Sequence, residues 1–185
     1  MTAHLKDILA WVLLVGGLAL TWYGLASAND VVFRKLSPTP NATWIYLPAA
    51  LRIIYPLVFR SAGVFGIILG SFLVVQDRVN DGIIDTAVLS IISGLAPLIG
   101  IGMFTTLFNT KPDLADFKPL HLFALAWTCA LMNAVSMNLY FAISGGMVQP
   151  LQLATTIFIG DLVGTLVVLY VLAFVLTLFI SRRRV

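Results

Sequence analysis

Long apolar runs are the feature that most constrains what this chain can fold into. The longest extends from Leu151 to Ile180, and others recur from end to end with short polar stretches between them. About 20 apolar residues are enough to cross the hydrocarbon core of a bilayer as a helix. Backbone groups in lipid have no water to bond, so such runs must satisfy their own hydrogen bonds. The sequence therefore predicts an all-α, polytopic membrane helix bundle.

The composition supports the same class. Only 10% of the 185 residues are charged, whereas about a quarter are charged in a soluble domain. No polar stretch is long enough to fold separately, so residues 1–185 are predicted to form a single integral membrane domain. The net charge of +3 includes the run Arg182-Arg183-Arg184, which is typical of a cytoplasmic stop signal. The lipid bilayer is the predicted partner, and a nucleic-acid partner is not expected.

Hydropathy divides the chain into about six membrane segments. The second and third are short for a full span, and the second contains Pro48 and Pro56. Two arrangements suit them: two spans with little tilt, or a partly re-entrant helical hairpin, which is allowed only where it is buried in protein or lines a cavity. The six segments are about Ile8 to Ala28, Trp44 to Phe59, Ala62 to Val75, Ile83 to Phe108 (interrupted by Gly94, Pro97, Gly100 and Gly102), Leu120 to Ser144, and Leu151 to Ile180.

The distribution of basic residues predicts that both termini are cytoplasmic. This orientation puts Lys6, Arg60, Lys111, Lys118 and the terminal arginine run inside, and Arg34, Lys35 and Arg78 outside, as the positive-inside rule favours. The small residues Ala26-Ser27-Ala28 resemble a signal-peptide cleavage site, but Asp7, Trp22 and Tyr23 make retention of the first segment the expectation. The predicted location is a bacterial inner membrane, as a multi-pass protein.

Two opposite charges lie where the bilayer should be. Arg52 is in the second segment and Asp161 in the sixth, eight residues beyond Trp44 and eleven beyond Pro150. At about 1.5 Å per residue their depths are about 12 and 16 Å, so the two side chains can meet. A charge at mid-bilayer costs about 2.5–3.5 kcal/mol on insertion scales and commonly has a partner or a function. Three interpretations are open: a buried salt bridge that sets helix register, a ligand- or proton-responsive site, and two charges that never meet.

Polar and aromatic side chains in the fifth segment and near the outer face are candidates for a pocket wall. Cys129, Asn133 and Tyr140 follow helical spacing. These side chains either bond neighbouring helices or line an outward-facing pocket for a small, largely uncharged ligand. The pocket candidates are Asn133, Ser136, Met137, Asn138, Tyr140 and Trp44.

Small residues four apart mark predicted helix contacts. Gly66 and Gly70 form such a strip on the third segment, and Gly160 and Gly164 form another that brackets Asp161. Strips of this spacing let helices approach closely. Gly24 and Ala28 form a third strip on the first segment.

Catalytic, metal and cofactor motifs are missing from the sequence. One cysteine, Cys129, and two separated histidines, His4 and His121, provide no local metal-binding motif. There is no phosphate-binding loop, nucleophile–base pair or HExxH motif. No catalytic residue, metal site or cofactor is predicted, and the chain is expected not to be an enzyme.

Three segments resemble bacterial membrane-associated sensor (MASE-type) domains. Leu47-Pro48-Ala49-Ala50-Leu51-Arg52, Gly66-Ile67-Ile68-Leu69-Gly70 and Gly160-Asp161-Leu162-Val163-Gly164 match the family's "PAAL…GxxLG…GDxxG" order. The resemblance extends over about Trp44 to Leu172 and implies a sensory role. Those domains are usually fused to kinase, cyclase or phosphodiesterase modules, and none follows here. A signal is therefore expected to pass to a separate protein.

The architecture is also similar to that of the substrate-binding subunits of energy-coupling-factor vitamin transporters, which have about six helices and an outward-facing pocket. The Gly24 and Ala28 strip weakly resembles their coupling surface. Three expectations remain open: a sensor with a small-molecule pocket in its outer half, a substrate-binding transporter subunit, and a structural partner of another membrane protein.

Overall fold

Five long helices account for most of the chain. The computed structural model describes residues 2–38, 42–78, 82–110, 119–145 and 149–182. The helices are α1 (Thr2–Phe33), α2 (Ala49–Arg78), α3 (Ile83–Phe108), α4 (Pro119–Ile143) and α5 (Pro150–Arg182), and a short 3₁₀ helix, Arg34–Leu36, follows α1. All five are long and apolar enough to cross a membrane. The chain thus has the all-α build of a multi-pass membrane protein, and its orientation stays a prediction.

Local sequence signals explain where the helices begin and end. Pro119 and Pro150 open α4 and α5, where a proline loses no helical hydrogen bond and its fixed φ suits the first turn. α3 ends at Asn109, a left-handed residue (φ 49°) whose N–H donates to the Thr105 carbonyl. The predicted interruption of this segment is wrong, because α3 continues through Pro97.

The six predicted segments are not confirmed. The second and third form one helix, α2, with a break at Arg60, where φ is 51° and ψ is −127°. A Cβ added to Gly63 would lie 2.2 Å from the Tyr55 carbonyl oxygen, although eight residues of straight helix span about 12 Å. The chain therefore folds back at Arg60, and residues 49–59 and 61–78 lie side by side as the two arms of a hairpin. Both arrangements open to the sequence, two short spans and a re-entrant hairpin, contain such a fold-back, and the choice between them stays a prediction.

Each helix packs on its neighbour in the sequence, and α5 also contacts α2. α1 lies along the second arm of α2, where the positions of Gly66 and Gly70 face Leu18 and Trp22. The Tyr55 hydroxyl, on the first arm, donates to the Leu18 carbonyl at 3.3 Å. The C-terminal ends of α1, α2 and α4 and the N-terminal ends of α2, α3 and α5 lie at one end of the bundle, called here the connection end. The predicted stop signal at Arg183 and Arg184 lies outside the described residues.

Candidate functional site

The two membrane charges meet inside the bundle. Arg52 Nη1 donates to Asp161 Oδ2 at 2.6 Å, and the two side chains are 8% and 6% exposed. Arg52 belongs to the first arm of α2 and Asp161 to α5. The match of depth counted from the sequence therefore corresponds to a buried ion pair 109 residues apart along the chain.

Three further polar side chains surround this pair. Asn133 Nδ2 on α4 also donates to Asp161 Oδ2, at 2.6 Å. Arg52 Nη2 donates to Ser93 Oγ on α3 at 3.3 Å, and Ser71 Oγ donates to Ser93 Oγ at 3.0 Å. These five residues (Arg52, Ser71, Ser93, Asn133 and Asp161) are called the polar floor. They join four helices at one depth.

Two aromatic rings lie against the arginine. The Arg52 guanidinium carbon is 5.4 Å from the centroid of Trp22 and 5.2 Å from that of Tyr46. Such cation–π contacts gain strength where water is excluded. They stabilise the guanidinium on the faces that no hydrogen bond reaches.

The polar floor is not fully satisfied. Arg52 Nε, Asn133 Oδ1 and the indole Nε1 of the adjacent Trp22 are buried without a hydrogen-bond partner among the described residues. Both donors to Asp161 use Oδ2, which leaves Oδ1 without a protein donor in that part of the chain. A buried polar group left unpaired costs about 1–3 kcal/mol. The three buried atoms are closed off from solvent, so an occupant relieves their cost only where their side chains shift, whereas Asp161 Oδ1 is not closed off in this way.

A cavity of about 170 Å³ extends from the polar floor toward the connection end. One helical turn nearer that end, each of the four helices contributes an apolar residue to the cavity wall. Val74 is three residues from Ser71 on α2. Leu89, Met137 and Ile157 are each four residues from the floor residue of their own helix, namely Ser93, Asn133 and Asp161. The apolar collar consists of Val74, Leu89, Met137 and Ile157.

A non-helical segment, residues 42–48, covers one side of this cavity. The Tyr46 N–H donates to the Gly160 carbonyl at 3.0 Å. Asn29, on α1, donates to the Ile45 carbonyl at 3.2 Å and accepts from the Leu47 N–H at 2.9 Å. Thr43 and Tyr46 from this covering segment line the cavity.

The two predicted glycine strips contact different parts of the chain. Gly66 and Gly70 contact helix α1, as predicted. Gly160 and Gly164 instead contact the covering segment, since added Cβ atoms would lie 2.2 Å from the Thr43 carbonyl oxygen and 2.0 Å from that of Tyr46. The prediction of a helix–helix contact around Asp161 is therefore wrong: the glycines admit an extended backbone.

The structure separates the predicted pocket candidates. Asn133 and Met137 line the cavity, whereas Ser136, Asn138 and Tyr140 are outside its lining. Asn138 donates to the Ala134 carbonyl of its own helix, and the Tyr140 hydroxyl donates to Asp85. Trp44 is 36% exposed and is not among the residues that line the cavity.

Sequence reasoning missed Ser71, Ser93 and the inward position of Trp22, which is 1% exposed. Ser71 follows Gly70, and Ser93 precedes Gly94. A serine beside a close-packing glycine is the signal that would have identified both, because such a position faces a neighbouring helix. By sequence alone, Trp22 and Tyr46 are equally compatible with an interfacial aromatic belt.

Within the described ranges, no three His, Cys, Asp or Glu side chains lie close enough together to hold a metal ion. No protein-family model, curated protein or solved structure matches this chain. A functional proposal must therefore be based on the chemistry of the polar floor and its cavity.

Proposed function

We propose that this protein is a receptor in the bacterial inner membrane that binds a small molecule in the cavity above the Arg52–Asp161 pair. The observation that carries the proposal is a charged network at membrane depth that opens onto a cavity and keeps unpartnered polar atoms. Intramembrane charges are rare and commonly mark a ligand or ion pathway.

A salt bridge that only fixes helix register would be better served by a closed, fully bonded network. Buried polar networks stabilise a fold when every member is satisfied, and an unpaired member is costly. Here Arg52 Nε and Asn133 Oδ1 lack partners among the described residues. A polar occupant would explain why the bundle keeps both the charges and the open volume.

The resemblance to membrane-associated sensor domains is in keeping with this proposal. Two of the three segments that carry it, Leu47 to Arg52 and Gly160 to Gly164, contribute directly to the site: one supplies Arg52, and the other supplies Asp161 and the surface under the covering segment. The receptor would report the state of its cavity to a separate signalling protein.

The outer face of α1 is the proposed surface for that partner. Gly17, Thr21, Gly24 and Ala28 recur along this face and are exposed, and added Cβ atoms at Gly17 and Gly24 would contact nothing within 4 Å. A small-residue face of this kind suits the close approach of a second transmembrane helix.

Native mass spectrometry of the gently purified protein tests the receptor proposal. We expect a bound small molecule on the unmodified protein and at least a tenfold lower occupancy in Asn133→Leu, which removes a floor amide. Asn138→Leu is the matched control, because this amide on the same helix bonds only its own backbone. An unmodified protein that carries no small molecule, or equal occupancy in both variants, would contradict the proposal.

The second candidate is a substrate-capture subunit of a transporter, favoured by the same cavity together with the small-residue face of α1. A capture subunit should co-purify with an ATPase module and confer uptake of its solute. A receptor should instead contact a kinase or cyclase without moving solute. A purely structural partner would tolerate Asn133→Leu, while its associated membrane protein would be lost when this chain is deleted.

A further inference from the structure

We infer that the ligand is a small, neutral, amphipathic molecule that binds with its hydrogen-bonding group on the polar floor and its apolar body in the collar. This inference rests on the proposed receptor function and specifies the class of ligand. It follows from the charge of the floor, from the chemistry of the wall above it and from the volume of the cavity.

The charge of the polar floor argues against an ion. Arg52 and Asp161 neutralise each other across 2.6 Å, so the floor presents a dipole with no net charge. The third charged residue of the cavity wall, Asp30 on α1, already takes part in an interaction within the protein. An anion that approached Arg52 would also meet the carboxylate, and a cation that approached Asp161 would meet the guanidinium. Binding an ion would require the pair to separate, which leaves one buried charge uncompensated. A neutral group can bond both partners without separating them.

The floor presents groups that can accept and donate hydrogen bonds to an occupant. Both protein donors to Asp161 use Oδ2, so Oδ1 has no donor among the described residues, and the hydroxyl-bearing Ser71 and Ser93 also line the cavity. An amide or hydroxyl group can donate and accept at once. A ligand with such a group at one end matches the floor better than a purely apolar molecule.

The collar specifies the other end of the ligand. Val74, Leu89, Met137 and Ile157 enclose the level one turn above the floor, about 5.4 Å nearer the connection end. The volume of about 170 Å³ is close to that of an engineered protein cavity, about 150 Å³, that holds benzene. The collar therefore fits an apolar body of about one six-membered ring.

Three probes of the same shape separate the charge classes: benzamide, which is neutral, benzoate, which is an anion, and the benzamidinium cation. We expect benzamide to bind the full-length protein in detergent at least tenfold more tightly than either ion, by isothermal titration calorimetry. An ion that binds as tightly as benzamide would overturn the inference.

A filled collar tests the position of the ligand. Ile157→Trp should lower benzamide affinity at least tenfold, and Ile159→Trp, two residues along α5 on a lipid-facing position that is 39% exposed, should not. Leu89→Phe provides a second collar variant on another helix, so that a folding defect of Ile157→Trp does not decide the result. Equal binding by the collar variants and the Ile159→Trp control would overturn the placement.

The failures of the two proposals are distinguishable. A charged molecule found on the purified protein by native mass spectrometry overturns the inference and leaves the receptor proposal intact. No binding by any of the three probes also overturns the inference. The receptor proposal fails with it only when the purified protein carries no bound small molecule at all.

Discussion

The two glycine strips share a spacing but differ in what they hold. Gly66 and Gly70 on α2 receive the side chains and backbone of α1, whereas Gly160 and Gly164 on α5 receive the covering segment. In each strip the residue after the first glycine is buried: Ile67 is 0% exposed and Asp161 is 4% exposed. One strip thus packs two apolar helices, and the other places a charge beneath a chain segment that closes a cavity.

This difference shows that small-residue spacing predicts close approach without specifying the approaching partner. Between two helices the groove is filled by side chains such as Leu18 and Trp22. At Gly160 the groove is filled by backbone, and the Tyr46 N–H gains a hydrogen bond there. The second arrangement makes the strip part of the site, because Tyr46 then contacts Arg52.

The largest expected effect comes from breaking the ion pair beside the α5 strip. Asp161→Asn or Arg52→Ala alone should lower the free energy of unfolding by about 3–5 kcal/mol, because each leaves a buried group without its partner. The double variant should recover part of this loss. Reversible unfolding in mixed micelles measures all three, and equal damage in the single and double variants would argue against pairing.

A smaller effect should separate the two strips directly. Gly164→Ala should destabilise the protein by about 2–3 kcal/mol, since its Cβ would overlap the Tyr46 carbonyl oxygen at 2.0 Å, and overpacking costs about this much. Gly66→Ala should cost less, about 1–2 kcal/mol, because its Cβ would overlap Leu18 Cβ less deeply, at 2.7 Å, although relief of that overlap requires α1 to move. The same unfolding assay measures both.

Gly24→Ala serves as the control for the strips, as nothing lies within 4 Å of an added Cβ there. It should leave the unfolding free energy unchanged within about 0.5 kcal/mol. If Gly66→Ala proved as damaging as Gly164→Ala, the distinction between a side-chain partner and a backbone partner would fail.

A smaller effect than that of Gly164→Ala should come from loosening the covering segment. Asn29→Ala removes two hydrogen bonds to that segment and should cost about 1–2 kcal/mol. The Leu47 amide should then exchange with deuterium faster, while helix amides in α3 and α4 should not. Asn138→Ala is the matched amide control, and an unchanged Leu47 exchange rate in Asn29→Ala would show that Asn29 does not hold the segment.

The meeting of the two charges was predicted, although part of the count behind it was wrong. Counting residues from the ends of the second and sixth segments put Arg52 and Asp161 in one layer, and the ion pair joins them. The count took residues 44–48 as helix, whereas α2 begins at Ala49, so helical rise alone did not fix the depth of Arg52. The prediction that Asn138 lines the pocket with Asn133 ignored the rotation of the helix. Each residue turns an α-helix by about 100°, so Asn138 lies about 140° around α4 from Asn133, and it bonds its own helix. Trp44 could not be placed by periodicity, because it belongs to the non-helical covering segment.

By itself, the sequence determined the membrane class and the positions of the long helices. These depend on hydropathy, which is a property of each segment alone. The break between the second and third segments was also placed by the sequence, and the chain folds back there, at Arg60. Only the tertiary structure decided that a non-helical segment covers Gly160 and Gly164. Which surface fills a groove depends on residues far apart in the chain, and here that choice creates the cavity beside Asp161.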